Sequence, residues 1–213
     1  ARMIDSRSRV NTLYGDFSAE YYLGEKWLFT GDVKLHQHFV RSQDKNIIQQ
    51  DGERAIIGYD KARIELSAFL SAKWRATERL SLSVALREEL YGDEVSPLIP
   101  AAFVDWLISE RGEIVLKASA SRNFRFPTLN DLYFQPGGNP NLRKERGMTY
   151  DLGVEFKVGE SDKYSLSGAV NGFDSRVDDW ILWLPGVKGF WSPRNIKRVH
   201  SYGVESRLSL AWL

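Results

Sequence analysis

Apolar and polar residues alternate with a period of two over unusually long stretches of this chain. From 150 to 158, every second residue is tyrosine, leucine, valine or phenylalanine, and the residues between are aspartate, glycine, glutamate and lysine. From 63 to 74, arginine, glutamate, serine and lysine oppose isoleucine, leucine, alanine and tryptophan. Successive side chains of a strand point to opposite faces, so this period predicts strands with one apolar and one polar face. We count about nine such segments of about 10 to 18 residues, against about five or six residues in a usual strand.

Short polar connections alternate with long ones along the chain. The short connections are "LGEKW", "RATERL", "SERGE" and "GESDKY", and the long ones lie at 42–60, 93–98, 122–147 and 184–196. This alternation is typical of an up-and-down meander in which one rim carries turns and the other carries working loops. Because lipid cannot satisfy the backbone groups of an open sheet edge, the pattern predicts an all-β, antiparallel up-and-down transmembrane β-barrel.

A soluble antiparallel β-sandwich is the main alternative fold, since its strands also carry one apolar face. Sandwich strands are shorter, however, and their turns recur about every 8–12 residues without alternation between short and long. Aromatic residues beside the short turns favour the barrel, because such residues form girdles at the level of the lipid headgroups. These residues are Trp27, Trp74, Trp106 and Tyr164.

Composition excludes several classes of function. The net charge of +1 gives no electrostatic reason to expect a nucleic-acid partner. The chain has no cysteine, which excludes a disulfide framework and cysteine-based metal or redox chemistry. It has no run of about 18 apolar residues, so no transmembrane helix is predicted.

Four motifs in the second half of the chain occur in a fixed order. "FRFPTLNDLY" at 124–133 is followed by "GNPNL" at 138–142, "YDLGVE" at 150–155 and "GVE" at 203–205. Together they resemble the signature of TonB-dependent outer-membrane receptors, in particular the branch that includes cobalamin and siderophore transporters. The resemblance covers roughly residues 60–212.

This resemblance implies that residues 1–213 form part of a barrel. Receptors of this type have about 22 strands around a plug, so we expect the plug and the C-terminal strands to be absent from this chain. The implied function is a bacterial outer-membrane receptor that binds a large, scarce nutrient at its extracellular loops and imports it with energy from TonB. The implied ligand is a metal chelate such as a siderophore, cobalamin or haem. The other expected partners are the plug in the lumen, TonB through the plug, and outer-membrane lipid; no nucleic acid and no cofactor are expected.

The long loop at 122–147 carries most of the candidate ligand contacts. It departs from the family pattern at Phe126, where a small residue is usual, and at Lys144, where proline is usual. Its flat apolar and cationic side chains suit a large planar ligand, and a second outer loop at 183–195 adds further candidates, for which aromatic self-packing is the alternative. The expected ligand-binding residues are Arg122, Phe124, Tyr133, Phe134, Gln135, Asn139, Lys188, Phe190 and Trp191.

Part of the same loop is expected to be architectural. Glycine and Asn-Pro supply tight turns, and members of the family with different ligands share this motif. A role in fixing the base of the loop to the barrel rim is therefore favoured over direct ligand contact. The residues concerned are Arg125, Pro127, Thr128, Asn130, Asp131, Gly138 and Pro140.

Two groups of residues have the right chemistry for a metal ion. His36 and His38 share the lumen face two residues apart, a spacing that can chelate a metal on a strand. The sequence offers no obvious third ligand, so a polar lining is favoured and no metal site is predicted. Asp178 and Asp179 have the chemistry for calcium, but a solvated loop edge is favoured. Lumen charges expected to contact the plug are Arg63, Glu65, Arg87, Glu155 and Arg207.

Two other functions compete with the transporter. A small outer-membrane barrel enzyme of about ten strands draws support only from aspartates and histidines on the polar face. No catalytic constellation stands out, and we predict that the protein is not an enzyme. A soluble β-sandwich binding module is the third possibility, and it would purify without detergent.

Overall fold

The computed structural model describes residues 6–48, 54–110, 113–161, 164–186 and 189–212. In these ranges most residues belong to one antiparallel sheet. Its elements, in chain order, are β1 (Ser6–Leu23), β2 (Trp27–Ile48), β3 (Arg54–Arg75), β4 (Leu80–Tyr91), β5 (Glu94–Val95), β6 (Ile99–Ser109), β7 (Ile114–Arg125), α1 (Leu129–Tyr133), β8 (Glu145–Ser161), β9 (Tyr164–Pro185) and β10 (Trp191–Trp212).

The sheet is an up-and-down meander. The strands lie side by side in the order β1-β2-β3-β4-β6-β7-β8-β9-β10, and the two-residue β5 pairs with β4. Nine long strands in one antiparallel sheet confirm the predicted fold. Within the described residues β1 and β10 lie at opposite edges, so these strands form a section of barrel wall rather than a closed ring.

Two of the predicted long connections are in fact mostly strand. β2 pairs with β3 as far as Ile48 and Arg54, and β9 pairs with β10 as far as Pro185 and Trp191. The alternation signal fades there because apolar residues follow one another directly, as at 47–48, 56–57 and 180–184, but the backbone pairing of the ladder continues. The predicted loop at 122–147 shortens in the same way to residues 126–144.

The outward face of the sheet is apolar and uncovered. Leu13, Phe17, Leu70, Val84 and Leu208 are 72%, 69%, 67%, 58% and 71% exposed. In the described part of the chain no second sheet packs on this face, which excludes the sandwich. A continuous apolar surface of this kind is the lipid-facing band of a transmembrane barrel.

The opposite face is polar and is crossed by hydrogen bonds between neighbouring strands. Lys117 Nζ lies 2.6 Å from Glu155 Oε2, and Ser119 Oγ donates to Asp151 Oδ2 over 3.0 Å. Polar lumen and apolar exterior alternate along most strands, as the sequence period predicts. In β6 the lumen face also carries Ala101, Phe103 and Leu107. Arg207 also lies on this lumen face. It pairs in register with Ala169 of β9, which in turn pairs with Glu155 of β8.

The aromatic residues predicted as a girdle all lie at the short-turn end of the sheet. Trp27 and Trp74 are partners in register, and their rings stack at 5.6 Å with an interplanar angle of 13°. Trp106 and Tyr164 are each 48% exposed. This position marks the short turns as one boundary of the membrane-embedded band.

The long strands extend well beyond that band. β9 and β10 have 22 residues each, whereas a tilted strand of about 9–11 residues crosses the hydrocarbon core. Their outer halves therefore stand above the lipid. Among the described residues, no helix has the length and apolarity needed to cross a membrane.

We predict that Leu70→Arg destabilises membrane insertion by about 2–4 kcal/mol, the cost of arginine at the bilayer midplane. Leu70 faces outward near the middle of the embedded part of β3. Urea titration of the full-length receptor in liposomes measures the change. The control is Ser67→Arg on the lumen face, where the new cation faces Glu89 in register. Equal costs at both positions would contradict the assignment of the two faces.

Candidate functional site

The loop from 126 to 144 folds back over the polar face of β3. Arg63 of β3 donates from Nη1 to the carbonyl oxygen of Pro127 over 2.9 Å. Tyr59, also on β3, donates from its hydroxyl to Asn130 Oδ1. The outer mouth of the lumen is therefore partly covered by this loop rather than open above it.

The helix α1 within the loop begins with a capping box. Thr128 Oγ1 accepts from the Asp131 backbone N–H over 3.1 Å, and Asp131 Oδ2 accepts from the Thr128 N–H over 2.9 Å. Reciprocal caps of this kind satisfy donors that a helix start leaves free. The second oxygen of Asp131 accepts from the indole N–H of Trp183 over 2.9 Å. This bond joins the helix to β9, and Asp131 is buried.

A buried carboxylate ties the two ends of the loop together. Glu145 is 5% exposed and receives Arg125 Nε at 2.7 Å together with a second bond from Arg125 Nη2. The same carboxylate accepts from the backbone N–H of Ile181 over 2.7 Å. Arg125 closes β7 and Glu145 opens β8, so this pair fixes where the loop leaves the wall and where it returns.

Two glycines let the loop approach its neighbours closely. A Cβ on Gly137 would lie 2.1 Å from the Trp191 carbonyl oxygen, and its φ of +132° favours glycine. A Cβ on Gly138 would lie 2.6 Å from the Phe134 nitrogen. Asn139 then donates to the Pro193 carbonyl oxygen over 3.2 Å. The loop is thereby held against β10.

The end of the loop is held by a second set of polar contacts. Asn195 Oδ1 accepts from the Arg143 N–H over 2.8 Å, and its Nδ2 donates to the Arg143 carbonyl over 2.9 Å. Arg143 also donates to Asp179 Oδ1 over 2.6 and 3.0 Å. These hydrogen bonds hold the pKa of Asp179, which stands above the lipid, below its usual value. Asp178 pairs instead with Arg198 at 2.8 Å. Both aspartates therefore form ion pairs with arginines.

A pocket of about 290 Å³ lies between this loop and β3, β4 and the β4–β5 turn. We call it the rim pocket. It contains three contacts between a cation and an aromatic ring: Lys61 Nζ lies 4.8 Å from the Tyr133 centroid, Arg63 Cζ lies 5.0 Å from Tyr91, and Lys144 Nζ lies 4.7 Å from Phe126. The Tyr91 and Phe126 rings stack at 4.3 Å. The rim pocket thus places three cationic groups beside flat apolar surface. Its lining also includes Asp93 and Glu94, and two of the cations already have carboxylate partners: Lys144 pairs with Glu94 and Arg63 with Glu65.

The family model for the TonB dependent receptor-like β-barrel matches residues 2–213. The chain belongs to this family. That membership confirms the resemblance found in the loop motifs.

Curated relatives cover less than half of the chain. The vitamin B12 transporter BtuB of Photobacterium profundum is 31% identical over 97 residues, which are 44% of this chain and 15% of the relative. BtuB of Vibrio vulnificus is 33% identical over 89 residues, 41% of this chain and 14% of the relative. The chain is therefore similar to a small part of these transporters.

Solved structures share the fold at low identity. The copper transporter OprC has a TM-score of 0.70 at 17% identity, and the match covers 98% of this chain and 35% of OprC. A Serratia marcescens hemophore receptor HasR mutant, in complex with HasA and heme, reaches 0.73 at 14% identity, with 98% and 40% coverage. The Pseudomonas aeruginosa ferric enterobactin receptor PfeA, in complex with enterobactin, has a TM-score of 0.71 at 16% identity. The match covers 94% of this chain and 33% of PfeA. The chain spans about a third of each of these receptors.

The structure brings only some of the predicted ligand contacts together. Tyr133 lines the rim pocket, and Phe134 and Gln135 line a neighbouring hollow of about 430 Å³. Phe134 packs edge-on against Trp183 at 5.8 Å. Gln135 Oε1 accepts from the Gly58 N–H over 3.4 Å. These three residues stay candidates for ligand contact.

Other predicted contacts lie away from the rim pocket. Arg122 pairs in register with Met148 on the outward face, and its guanidinium donates to the Leu98 carbonyl oxygen over 3.2 Å. Phe124 packs edge-on against Phe126 at 5.1 Å. Phe190 and Trp191, 46% and 58% exposed, lie at the β9–β10 connection; Lys188 is outside the described residues.

Most of the rim pocket is not predicted by the sequence. Lys61, Tyr91, Phe126 and Lys144 are absent from the expected ligand contacts, and Arg63 is expected at the plug. The available signal was the pair of departures from the family pattern, Phe126 and Lys144, which contact one another across the pocket. Two departures that far apart in sequence gave no reason by themselves to expect contact.

We predict that Glu145→Gln loosens the loop, because it removes the charge that Arg125 pairs with. The free energy of opening the loop is expected to fall by about 1–2 kcal/mol. This is less than the cost of breaking a fully buried ion pair, because the Arg125 side chain is 46% exposed. Hydrogen exchange of amides 126–144 in the full-length receptor measures it.

The matched control for this change is Glu110→Gln. Glu110 pairs with Arg79 at 2.8 Å beside a short turn, with both side chains more than half exposed. Removal of the Glu110 charge should leave hydrogen exchange of the loop amides unchanged. Equal protection of the loop in wild type and in Glu145→Gln would count against the role given to Glu145.

Proposed function

We propose that this chain forms part of the barrel wall and outer loops of a bacterial outer-membrane receptor that imports a metal chelate with energy from TonB. Membership of the TonB-dependent receptor family supports the general role. The names of the similar proteins, which include transporters of vitamin B12 and copper and a receptor for ferric enterobactin, support a scarce nutrient as cargo. The protein is a transporter rather than an enzyme.

The rim pocket carries the proposal for ligand class. Each of its three cations lies against an aromatic ring. Arg63 and Lys144 also pair with Glu65 and Glu94, and an anionic ligand that enters would compete with these carboxylates while it meets a flat apolar surface. Such a surface favours an anionic chelate with aromatic or conjugated faces, because charge-assisted contacts and ring stacking then act on the same molecule. Ferric catecholate siderophores and haem fit this description better than cobalamin.

The loop that covers the pocket supports binding by being held in place before a ligand arrives. The Thr128–Asp131 cap, the Arg125–Glu145 pair and the Asn195 contacts fix three parts of it to the wall. A preorganised site avoids part of the entropic cost of binding. The residues predicted from the sequence to be architectural contribute to ligand binding only by holding the loop in place. They are Arg125, Pro127, Thr128, Asn130, Asp131, Gly138 and Pro140.

The remaining partners follow from the faces of the sheet. Lumen charges such as Arg87 and Arg207 face the position of the plug, and the exposed apolar band faces outer-membrane lipid. TonB would act through the plug, which lies outside this chain. The girdle of Trp27, Trp74, Trp106 and Tyr164 sets the depth of the barrel in the membrane.

We predict that Lys61→Ala and Lys144→Ala each weaken binding of an anionic chelate by about 10- to 100-fold, the range for a lost bond to a charged group. The full-length receptor in detergent is titrated with a ferric catecholate, haem and cyanocobalamin, with calorimetry as the readout. Lys73→Ala is the control, because Lys73 lies on the same face near the short turns, 4.0 Å from Asp105. Tight binding of cobalamin alone, unaffected by either lysine, would overturn the ligand class.

We predict that uptake, but not surface binding, depends on TonB. Cells that carry the full-length receptor are given radioactive iron chelate with and without TonB, and with and without a proton uncoupler. Binding on ice should be equal in all cases, whereas accumulation should fall to background without TonB or the proton gradient. Accumulation that persists without TonB would indicate passive diffusion.

A further inference from the structure

A cluster of two histidines and a glutamate lies on the lumen wall between β2 and β3. The strand period places His36 and His38 on the same polar face, and His36 pairs in register with Glu65 of β3. One ligand atom from each of the three residues lies within 4.8 Å of the others. His38 Nε2 and Glu65 Oε2 are 3.4 Å apart. Two ligand atoms of a tetrahedral zinc site, with bonds of about 2.0–2.2 Å, lie about 3.4 Å apart.

Neighbouring groups orient these side chains. Thr12 Oγ1 of β1 lies 3.0 Å from His38 Nδ1. This hydrogen bond occupies Nδ1 and directs the other ring nitrogen, Nε2, at Glu65. Arg63 holds the other carboxylate oxygen, Oε1, through Nε at 2.8 Å and Nη2 at 2.5 Å. Oε2 is thereby left directed at the histidines. Metal-binding histidines and carboxylates characteristically have such outer hydrogen bonds.

The surroundings are partly shielded from water without being closed. The side chains of His38 and Glu65 are 24% and 17% exposed, and His36 also packs edge-on against Tyr14 at 6.2 Å. A site of this kind keeps a path for an ion from the lumen. Arg63 reduces the net negative charge at Glu65, which lowers the affinity expected for a hard cation such as calcium.

We propose that His36, His38 and Glu65 form a binding site for a divalent transition-metal ion on the lumen wall. Two imidazoles and one carboxylate suit zinc, copper or nickel rather than magnesium or calcium. Three protein ligands leave at least one coordination position open toward the lumen. A water molecule or a donor atom from another segment of the receptor completes the coordination. The site shares Arg63 with the rim pocket, but its test uses the metal ion alone and does not depend on the chelate proposed for that pocket.

The chain offers a matched control for this proposal, because it contains three histidines. The third, His200, lies on β10, where its Nε2 is 2.6 Å from Asp174 Oδ2. His200 and its register partner Arg176 both lie on the outward face of the sheet, opposite the lumen face that carries the cluster. Removal of His200 therefore deletes an imidazole that is next to a carboxylate but lies far from the lumen cluster.

The experiment titrates the full-length receptor, stripped with EDTA and held in detergent, with Zn²⁺ by calorimetry and with Co²⁺ by visible absorption. His38→Ala and Glu65→Gln should each remove one equivalent of metal or weaken its binding by at least about 10-fold. His200→Ala should bind as wild type does. Thr12→Val should weaken binding less than loss of a ligand, because it removes an orienting bond alone.

Two controls keep the result decisive. Heat-modifiable migration on gels shows that each variant is folded before titration. The Co²⁺ spectrum of wild type should carry the intense visible bands of a low-coordinate imidazole site, and those bands should be absent from His38→Ala. Unchanged stoichiometry and affinity in His38→Ala and Glu65→Gln, or an equal loss in His200→Ala, would refute the site.

Discussion

Lipid neither donates nor accepts hydrogen bonds, and the whole architecture depends on this constraint. Each backbone N–H and C=O in the embedded band must pair with a neighbouring strand, and the apolar pattern selects the register that turns apolar side chains toward lipid. Since side chains alternate strictly, the same register decides which residues meet lipid and which meet the lumen. The apolar exterior and the cross-strand pairs such as Lys117–Glu155 are two consequences of one ladder.

Above the membrane the ladder no longer has to exclude water, and polar side chains take over the task of shaping the chain. Glu145 shows how this works, because one buried carboxylate binds the end of β7 through Arg125 and the backbone of β9 at Ile181. The Asp131 carboxylate likewise accepts from the Thr128 backbone N–H at the start of α1 and from the Trp183 indole of β9. These desolvated carboxylates, each with several donors, act together with the buried Phe126 and Leu129 to hold the loop.

The period of two predicts the sheet, its two faces and the short-turn boundary, because these follow from local sequence alone. It does not predict strand ends such as Ile48 and Pro185, where consecutive apolar residues interrupt the alternation while strand pairing continues. Nor can it place Glu65 beside His36, since a register between strands is a non-local property. The rim pocket escapes prediction for the same reason: Phe126 and Lys144 meet only after the loop has folded.

Arg63 links the two sites that the structure brings to the lumen wall. Its guanidinium binds Glu65 on one side, lies over Tyr91 of the rim pocket on the other, and donates to the loop at Pro127. A cation bound to Oε2 of Glu65 would weaken the attraction between that carboxylate and Arg63, which binds Oε1. An anionic ligand in the rim pocket would draw the same guanidinium away from Glu65. Both events would act on one side chain, so a metal ion at the proposed site and an anion in the rim pocket would each favour binding of the other through electrostatics.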